Sequence, residues 1–183
     1  DRTAVCCLSS LNLETYEEWK NEPNFIEDIM RFLDNVLTDF INRAPDSFKD
    51  AKYSAMRERS VGLGVMGLHS FLQKKSIPLE SVMSKAWNNK IFKHIQTQAD
   101  EASKKLSEER GACPDAQEYG FNERFSNKTA IAPTASISII CGGASPGVEP
   151  VAANSYTHKT LSGSYNVRNR YLKKILEKYG KNN

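Results

Sequence analysis

Hydrophobic residues in the first quarter of the chain recur three and four positions apart, which is the spacing of an amphipathic helix. Asn24 can cap this helix, Glu27 stands where a capping-box acid belongs, and Pro45 should stop it. We therefore predict a helix that buries one face, formed by Phe25, Ile29, Phe32, Leu33, Val36, Leu37, Phe40 and Ile41.

Three more helices are predicted, and the longest and the last of them show the same spacing. The longest helix should begin after Ser81 and end at Gly111, a natural left-handed stop. Its predicted face is Val82, Trp87, Ile91, Ile95, Ala99, Ala102 and Leu106. A short helix is predicted from Met66 to Leu72. The last helix should end at Gly180, with Val167, Tyr171, Leu172, Ile175 and Leu176 turned inward.

Short apolar runs between the helices indicate strands. A polar loop is expected from Pro114 to Asn127, and a glycine-rich turn from Gly142 to Gly147. Strands that alternate with helices are typical of an α/β protein, here a helix-rich one. The predicted strands are Thr3 to Leu13, Ser60 to Val65, Lys128 to Ala132 and Tyr156 to Leu161.

Composition narrows the class of protein. The 183 residues are 39% hydrophobic and 26% charged, which predicts one folded domain rather than disorder. A net charge of +3 argues against a nucleic-acid or anionic-membrane surface. No apolar run approaches the ~20 residues of a membrane span, and no signal peptide is visible. Because the chain begins with Asp1 rather than methionine, we expect either processing or a piece of a longer protein.

The cysteines and histidines predict no metal site. Four cysteines without a C-x-x-C pair favour neither a disulfide framework nor structural zinc. A reducing, cytoplasmic setting fits them best. His69, His94 and His158 lack the spacing of metal ligands or of a catalytic pair.

The segment from Gly62 to Gly67 matches G-x-G-x-x-G, the dinucleotide-binding fingerprint. Its context argues against that function, because a charged stretch precedes it and no second βαβ unit follows. We predict instead that these glycines allow a tight strand-to-helix turn and close backbone packing.

Several motifs, in this order and at these separations, resemble the later half of the barrel of a ribonucleotide reductase large subunit. The resemblance covers nearly the whole chain, and the order of the motifs is more specific than any one of them. They are AVCCLSSLNL at residues 4–13, RSVGLGVMGL at 59–68, RGACP at 110–114, APTASIS at 132–138, GVEP at 147–150, YT at 156–157 and LSG at 161–163.

The resemblance implies a ten-stranded α/β barrel, of which this chain would form one incomplete segment, residues 1–183. In the family, a thiyl radical in an N-x-C-x-E loop takes a hydrogen atom from the ribose, and a separate pair of cysteines then reduces the 2′ carbon. Cys6 matches one member of that pair. The other member and the N-x-C-x-E loop are not in this sequence, so activity is expected only with the missing portion.

Cys6 and Cys7 cannot both face a substrate, because adjacent residues of a strand point to opposite sides. The register of the segment favours Cys6 as the catalytic thiol, and Cys7 is expected to pack outward. Buried packing is the alternative role for Cys6. Cys113 and Cys141 match no working position of the family and are expected to be structural.

Pro133, Thr134, Ala135, Ser136 and Ile137 form a candidate substrate-binding turn. Proline should stop the preceding strand, and small hydroxyl residues should open a helical turn whose free N–H groups suit a phosphate. A plain helix cap without a ligand is the alternative. The resemblance assigns this segment to the phosphates of the substrate, with hydroxyl groups from Thr134 and Ser136 and only backbone N–H groups from Ala135 and Ile137.

The resemblance also implies cofactors and partners. No cofactor is expected on this chain, because the radical would come from a separate di-metal small subunit, with a cobalamin-dependent enzyme as the alternative. The expected partners are the rest of the large subunit, the small subunit, a thioredoxin- or glutaredoxin-like reductant and a ribonucleotide. A non-catalytic assembly or nucleotide-sensing module is the alternative from another class. The choice of diphosphate or triphosphate stays open.

Overall fold

The computed structural model describes residues 2–5, 7–161 and 163–181, which form four strands and eight helices of four or more residues. The elements are β1 (Leu8–Asn12), α1 (Tyr16–Trp19), α2 (Phe25–Arg43), α3 (Lys49–Glu58), β2 (Gly62–Met66), α4 (Leu68–Lys74), α5 (Val82–Arg110), α6 (Pro114–Glu118), α7 (Ile137–Ile140), β3 (Ser155–Thr160), β4 (Gly163–Arg168) and α8 (Arg170–Lys178).

Strands β1 and β2 are parallel neighbours, paired from Leu8 opposite Gly62 to Asn12 opposite Met66. The segment expected as a third strand, Lys128 to Ala132, runs beside β2 but forms only one parallel bridge, between Leu63 and Thr129. Parallel strands joined by helices confirm the α/β prediction.

The glycines of β2 allow three backbones to approach closely. A Cβ at Gly62 would overlap the side chain of Leu8, and a Cβ at Gly64 would overlap the carbonyl oxygen of Ala130. Gly67 follows the strand with a φ of +80° and is the N-cap residue of α4. The G-x-G-x-x-G segment is therefore the strand-to-helix turn that the sequence predicted.

Helices α2 and α5 supply most of the core. In α2 the predicted face is only partly correct, since Leu33 and Leu37 are buried, but Phe32 and Val36 are 61% and 43% exposed, and the buried Ile26 and Met30 were not predicted. In α5 the predicted face is largely correct, with Ile91, Ile95, Ala99, Ala102 and Leu106 buried. Val82 was expected in this face but is 81% exposed. Ion pairs join Glu27 to Lys105 and Arg31 to Glu109, so helix α2 lies beside the last turns of α5. Val82 is at the other end of α5, roughly 35 Å along the helix from these turns, and this distance explains its exposure.

One buried carboxylate joins α2 to the C-terminal ends of α3 and α5 and to the loop around Arg124. Asp34 of α2 is fully buried and binds three arginines. Arg59 follows α3 and donates at 2.6 Å, Arg110 ends α5 and donates at 2.8 Å, and Arg124 donates from the following loop at 2.9 Å. Burial by itself would raise the pKa of Asp34, but these arginines outweigh burial and lower it.

Several local expectations were wrong. The polar loop contains α6, which begins at Pro114, a residue favoured in a first turn. Val167 lies in β4, the second strand of an antiparallel hairpin with β3, and not in the last helix. Gly111 ends α5 with a positive φ, but its ψ of 149° is extended rather than left-handed helical. Asn24 precedes α2 without a side-chain capping bond. Within the described ranges no helix is long and apolar enough to cross a membrane.

Candidate anion-binding site

The candidate substrate-binding turn begins with a strained residue. Thr134 has a φ of +52°, a region that β-branched residues avoid, and its side chain is buried. Its Oγ1 accepts a hydrogen bond from the backbone N–H of Gly147 at 2.8 Å. The hydroxyl that was expected to face a ligand therefore accepts from the chain's own glycine-rich turn.

The next three residues present backbone N–H groups to solvent. Ala135, Ser136 and Ile137 are exposed. In the part of the chain that the structure describes, none of their N–H groups has an intrachain acceptor. The following N–H, of Ser138, is already bonded to the carbonyl oxygen of Thr134 at 3.0 Å. Three consecutive free donors can bind an anion. Because α7 has only four residues, the donors contribute more than a helix dipole.

The glycine-rich turn is tied to the start of α4 by buried serines. Ser145 N–H donates to the Ser70 Oγ at 2.9 Å, and Ser70 N–H donates to the Ser145 Oγ at 3.1 Å. Gly67 N–H also donates to the carbonyl oxygen of Ser145 at 2.7 Å. This pairing could not be predicted from the sequence, because the two serines are 75 residues apart and share no motif.

A cavity of about 470 Å³ lies beside the turn. Ala135 and Ser138 form part of its wall, and the hairpin and the start of α8 form the opposite part. Most of the lining is apolar, and its polar groups include Tyr156, His158, Arg168, Asn169 and Arg170. A mostly apolar cavity with a few polar groups and an anion-binding turn at its side has the character of a small-molecule site.

Cys6, the predicted catalytic thiol, lies outside the described residues. Cys7 is half-buried, and its Sγ lies 3.8 Å from the carbonyl oxygen of Leu33 on α2. This contact places Cys7 against the helix layer, and the role of Cys6 as the catalytic thiol stays a prediction. Cys113 is buried and Cys141 is exposed.

Two of the histidines serve packing and loop attachment. His69 Nδ1 accepts from the backbone N–H of Val151 at 3.1 Å, and burial lowers the pKa of His69, an effect that Glu80 partly offsets. His94 Nδ1 lies 3.1 Å from the Tyr16 hydroxyl, and burial lowers the pKa of His94 as well. Among the described residues no group of histidines, cysteines and carboxylates could hold a metal ion.

Comparison with known proteins gives consistent matches along the chain. The model of the family described as ribonucleotide reductase, barrel domain, matches residues 1–123 and 115–183. A ribonucleoside-diphosphate reductase large subunit of Invertebrate iridescent virus 6 is 51% identical over 96% of this chain and 18% of the viral protein. The large subunit of Invertebrate iridescent virus 3 is 47% identical over 96% of this chain and 28% of that protein.

A more distant relative and a solved structure agree with these matches. A vitamin B12-dependent ribonucleoside-diphosphate reductase of Mycobacterium tuberculosis is 34% identical over 83% of this chain and 22% of that protein. The class Id ribonucleotide reductase alpha subunit of Actinobacillus ureae superposes with a TM-score of 0.88 and 36% identity, over 100% of this chain and 33% of that one.

The chain thus spans less than a third of the first curated relatives that it matches. The family model accounts for both parallel strands, the long helices and the candidate turn together. From these matches, the chain belongs to the ribonucleotide reductase large-subunit family, as a segment of its barrel domain.

Proposed function

We propose that this chain is part of the catalytic subunit of a ribonucleoside-diphosphate reductase, and that the turn from Thr134 to Ile137 binds the phosphates of the substrate. The observation that carries the proposal is the set of three free N–H groups beside the 470 Å³ cavity. Relatives that are 51% and 47% identical bear the name ribonucleoside-diphosphate reductase large subunit, which supports a diphosphate substrate.

Within this proposal, Cys6 is one thiol of the reducing pair. Reduction of the 2′ carbon replaces a hydroxyl group by hydrogen and releases water, so it consumes two electrons. Two thiols supply these electrons by forming a disulfide, which a thioredoxin- or glutaredoxin-like protein then reduces. The second thiol and the N-x-C-x-E loop belong to the remainder of the large subunit.

The radical is supplied from outside this chain, in a reducing, cytoplasmic setting. A separate di-metal small subunit is the source that we propose, with cobalamin as the alternative. The curated relatives support this order, since the two large subunits without vitamin B12 in their names are 51% and 47% identical, and the vitamin B12-dependent relative is 34% identical.

Ser136 offers a direct test of the turn, because its side chain is exposed and forms no capping bond. In the complete large subunit, Ser136→Asp should place a negative charge beside the bound phosphate. At about 4 Å and an effective dielectric near 20, repulsion of a few kcal/mol should weaken nucleoside diphosphate binding at least tenfold. Isothermal titration calorimetry measures this affinity.

Ser136→Asn is the matched control, since it has nearly the same shape without the charge. Its affinity for the nucleotide should change less than about threefold, which corresponds to under 1 kcal/mol. Equal affinities of the Asp and Asn variants would show that the turn does not contact phosphate.

A further inference from the structure

Helix α4 begins without a capping side chain of its own, because the residue at its N-cap position is a glycine. Gly67 has no side chain to accept the N–H groups that the first turn leaves free. An N-cap side chain normally accepts from the second or third helical N–H. Here the Ser145 Oγ accepts from Ser70, the third residue of the helix, at 3.1 Å. A serine from a distant loop therefore caps α4.

The capping is reciprocal and buried. The Ser70 Oγ accepts from the N–H of Ser145 at 2.9 Å, and the two serines are 2% and 0% exposed. The N–H of Gly67 adds a third bond, to the carbonyl oxygen of Ser145. Removing either hydroxyl leaves a buried N–H without a partner, which costs about 1–3 kcal/mol. The loop around Ser145 is thus fixed to the start of α4.

Two bonds continue from this loop to the candidate turn. Ala144 N–H donates to the carbonyl oxygen of Ser138 at 3.0 Å. Gly147 N–H donates to the Thr134 Oγ1 at 2.8 Å. Thr134 and Ser138, which stand on either side of the three free N–H groups, are therefore both bonded to the loop that is fixed to α4.

We propose that Ser70 and Ser145 are positioning residues for phosphate binding, which set the direction of the free N–H groups of Ala135, Ser136 and Ile137. This inference rests on the proposed function of the turn. It also gives the G-x-G-x-x-G segment an indirect role in nucleotide binding. Gly67 donates its N–H to the carbonyl oxygen of Ser145 at 2.7 Å, and its missing Cβ leaves room for the Asn12 side chain, whose Oδ1 would lie 2.7 Å from that Cβ.

The experiment compares Ser70→Ala, Ser145→Ala and Ser103→Ala in the complete large subunit. Ser103 is the matched control, because it is 0% exposed and its Oγ accepts backbone N–H groups of Arg124 and Phe125 at 3.1 and 3.4 Å, away from the turn. We expect Ser70→Ala and Ser145→Ala to raise the KM for the nucleoside diphosphate about tenfold, with kcat changed less than threefold. Ser103→Ala should leave both constants unchanged.

The double variant Ser70→Ala/Ser145→Ala adds a second criterion. Because the two hydroxyls form one reciprocal pair, their effects on KM should be clearly less than multiplicative. Inorganic pyrophosphate serves as a probe without ribose or base, and its inhibition constant should rise in parallel with the KM. Hydrogen exchange of the unmutated subunit should show slower exchange at the Ser70 and Ser145 amides when nucleotide is bound.

Each other outcome overturns the inference. An equal rise in KM for all three single variants would mean that the serines act only through stability. Unchanged constants for Ser70→Ala and Ser145→Ala, with weakened binding in Ser136→Asp, would refute the positioning role and leave the proposed function standing. Unchanged binding in all variants, Ser136→Asp included, would refute both. Should a serine variant fail to fold, unaltered exchange at both amides on nucleotide binding would refute the positioning role.

Discussion

Thr134 stores backbone strain beside the free N–H groups of the turn. A β-branched residue at a φ of +52° costs on the order of 1–3 kcal/mol, and such residues persist where the surrounding structure holds them. The hydrogen bond from Gly147 N–H to its Oγ1 is the interaction that holds this one. The sequence marked Thr134 as a site residue but could not show that its hydroxyl accepts from Gly147 N–H, because that partner lies 13 residues away.

Thr134→Val keeps the shape of the side chain and removes the acceptor of the Gly147 N–H. We expect a loss of about 1–3 kcal/mol in local stability, because a buried donor is left without a partner. Faster hydrogen exchange at Gly147 in the complete large subunit measures the loss. Thr134→Ser retains the hydroxyl and removes the β-branch, so its exchange should stay near the original rate. Equal exchange rates in both variants would show that the hydroxyl of Thr134 does not protect the Gly147 N–H.

Among the elements, α2 and α5 were predictable and several short ones were not. Both long helices have an apolar face that repeats over many turns, so the pattern fixes their bounds to within a few residues. Helix α6 has five residues and α7 has four, too few for a periodic signal. The hairpin was missed because Val167 was assigned to the face of the last helix, although Ser164 to Arg168 alternates polar and apolar residues, and all six residues of β4 are exposed.

Asp34 and the three arginines that bind it form a cluster, the Asp34 cluster, which joins α2 to the ends of α3 and α5. Removal of its carboxylate should loosen these helices together. Asp34→Asn leaves Arg59, Arg110 and Arg124 without a charged partner in a buried site, which should cost about 3–5 kcal/mol. Because the pKa of Asp34 is lowered, the cluster contributes its full stabilisation above the ordinary carboxyl pKa, and this contribution is lost as the pH falls from there through the lowered pKa. Hydrogen exchange along α2 and α5 in the complete large subunit measures the effect.

Asp39→Asn on the same helix is the matched control for the cluster. Asp39 and Arg43 form an ion pair whose side chains are 61% and 78% exposed. Exposed pairs contribute little, so this variant should change stability by less than about 1 kcal/mol. If the two variants lowered protection equally, burial of the Asp34 cluster would not be the source of its strength.

At the scale of the whole molecule, this segment presents an incomplete sheet. Among the described residues, β1 pairs with β2, and only a single bridge joins β2 to the segment around Thr129. A cavity of about 300 Å³ lies at this edge, lined by Gly64, Phe92 and Ile131 among others, and Ile131 is 50% exposed. The motifs predicted the barrel family from the sequence, because their order is specific. An open edge and an exposed apolar lining favour association with further strands.

The last prediction is that the 183-residue chain reduces no ribonucleotide by itself. The proposed chemistry needs a cysteine that becomes a radical, neighbours that move protons at the ribose hydroxyls and two thiols that supply electrons. Of these groups, the family resemblance assigns only Cys6 to this sequence. The purified chain should therefore form no deoxyribonucleotide with a radical source and a dithiol, and its open sheet edge should make it self-associate in sedimentation experiments.

Addition of the polypeptide with the N-x-C-x-E loop should restore turnover, because the two parts then complete the sheet and bring the thiol pair together. The same mixture made with Cys6→Ser should stay inactive, and with Cys7→Ser it should regain activity, since Cys7 contacts α2. Chromatographic separation of deoxyribonucleoside diphosphates measures the product. Deoxyribonucleotide formed by the purified chain alone would contradict both the need for a second polypeptide and the place of Cys6 in a pair.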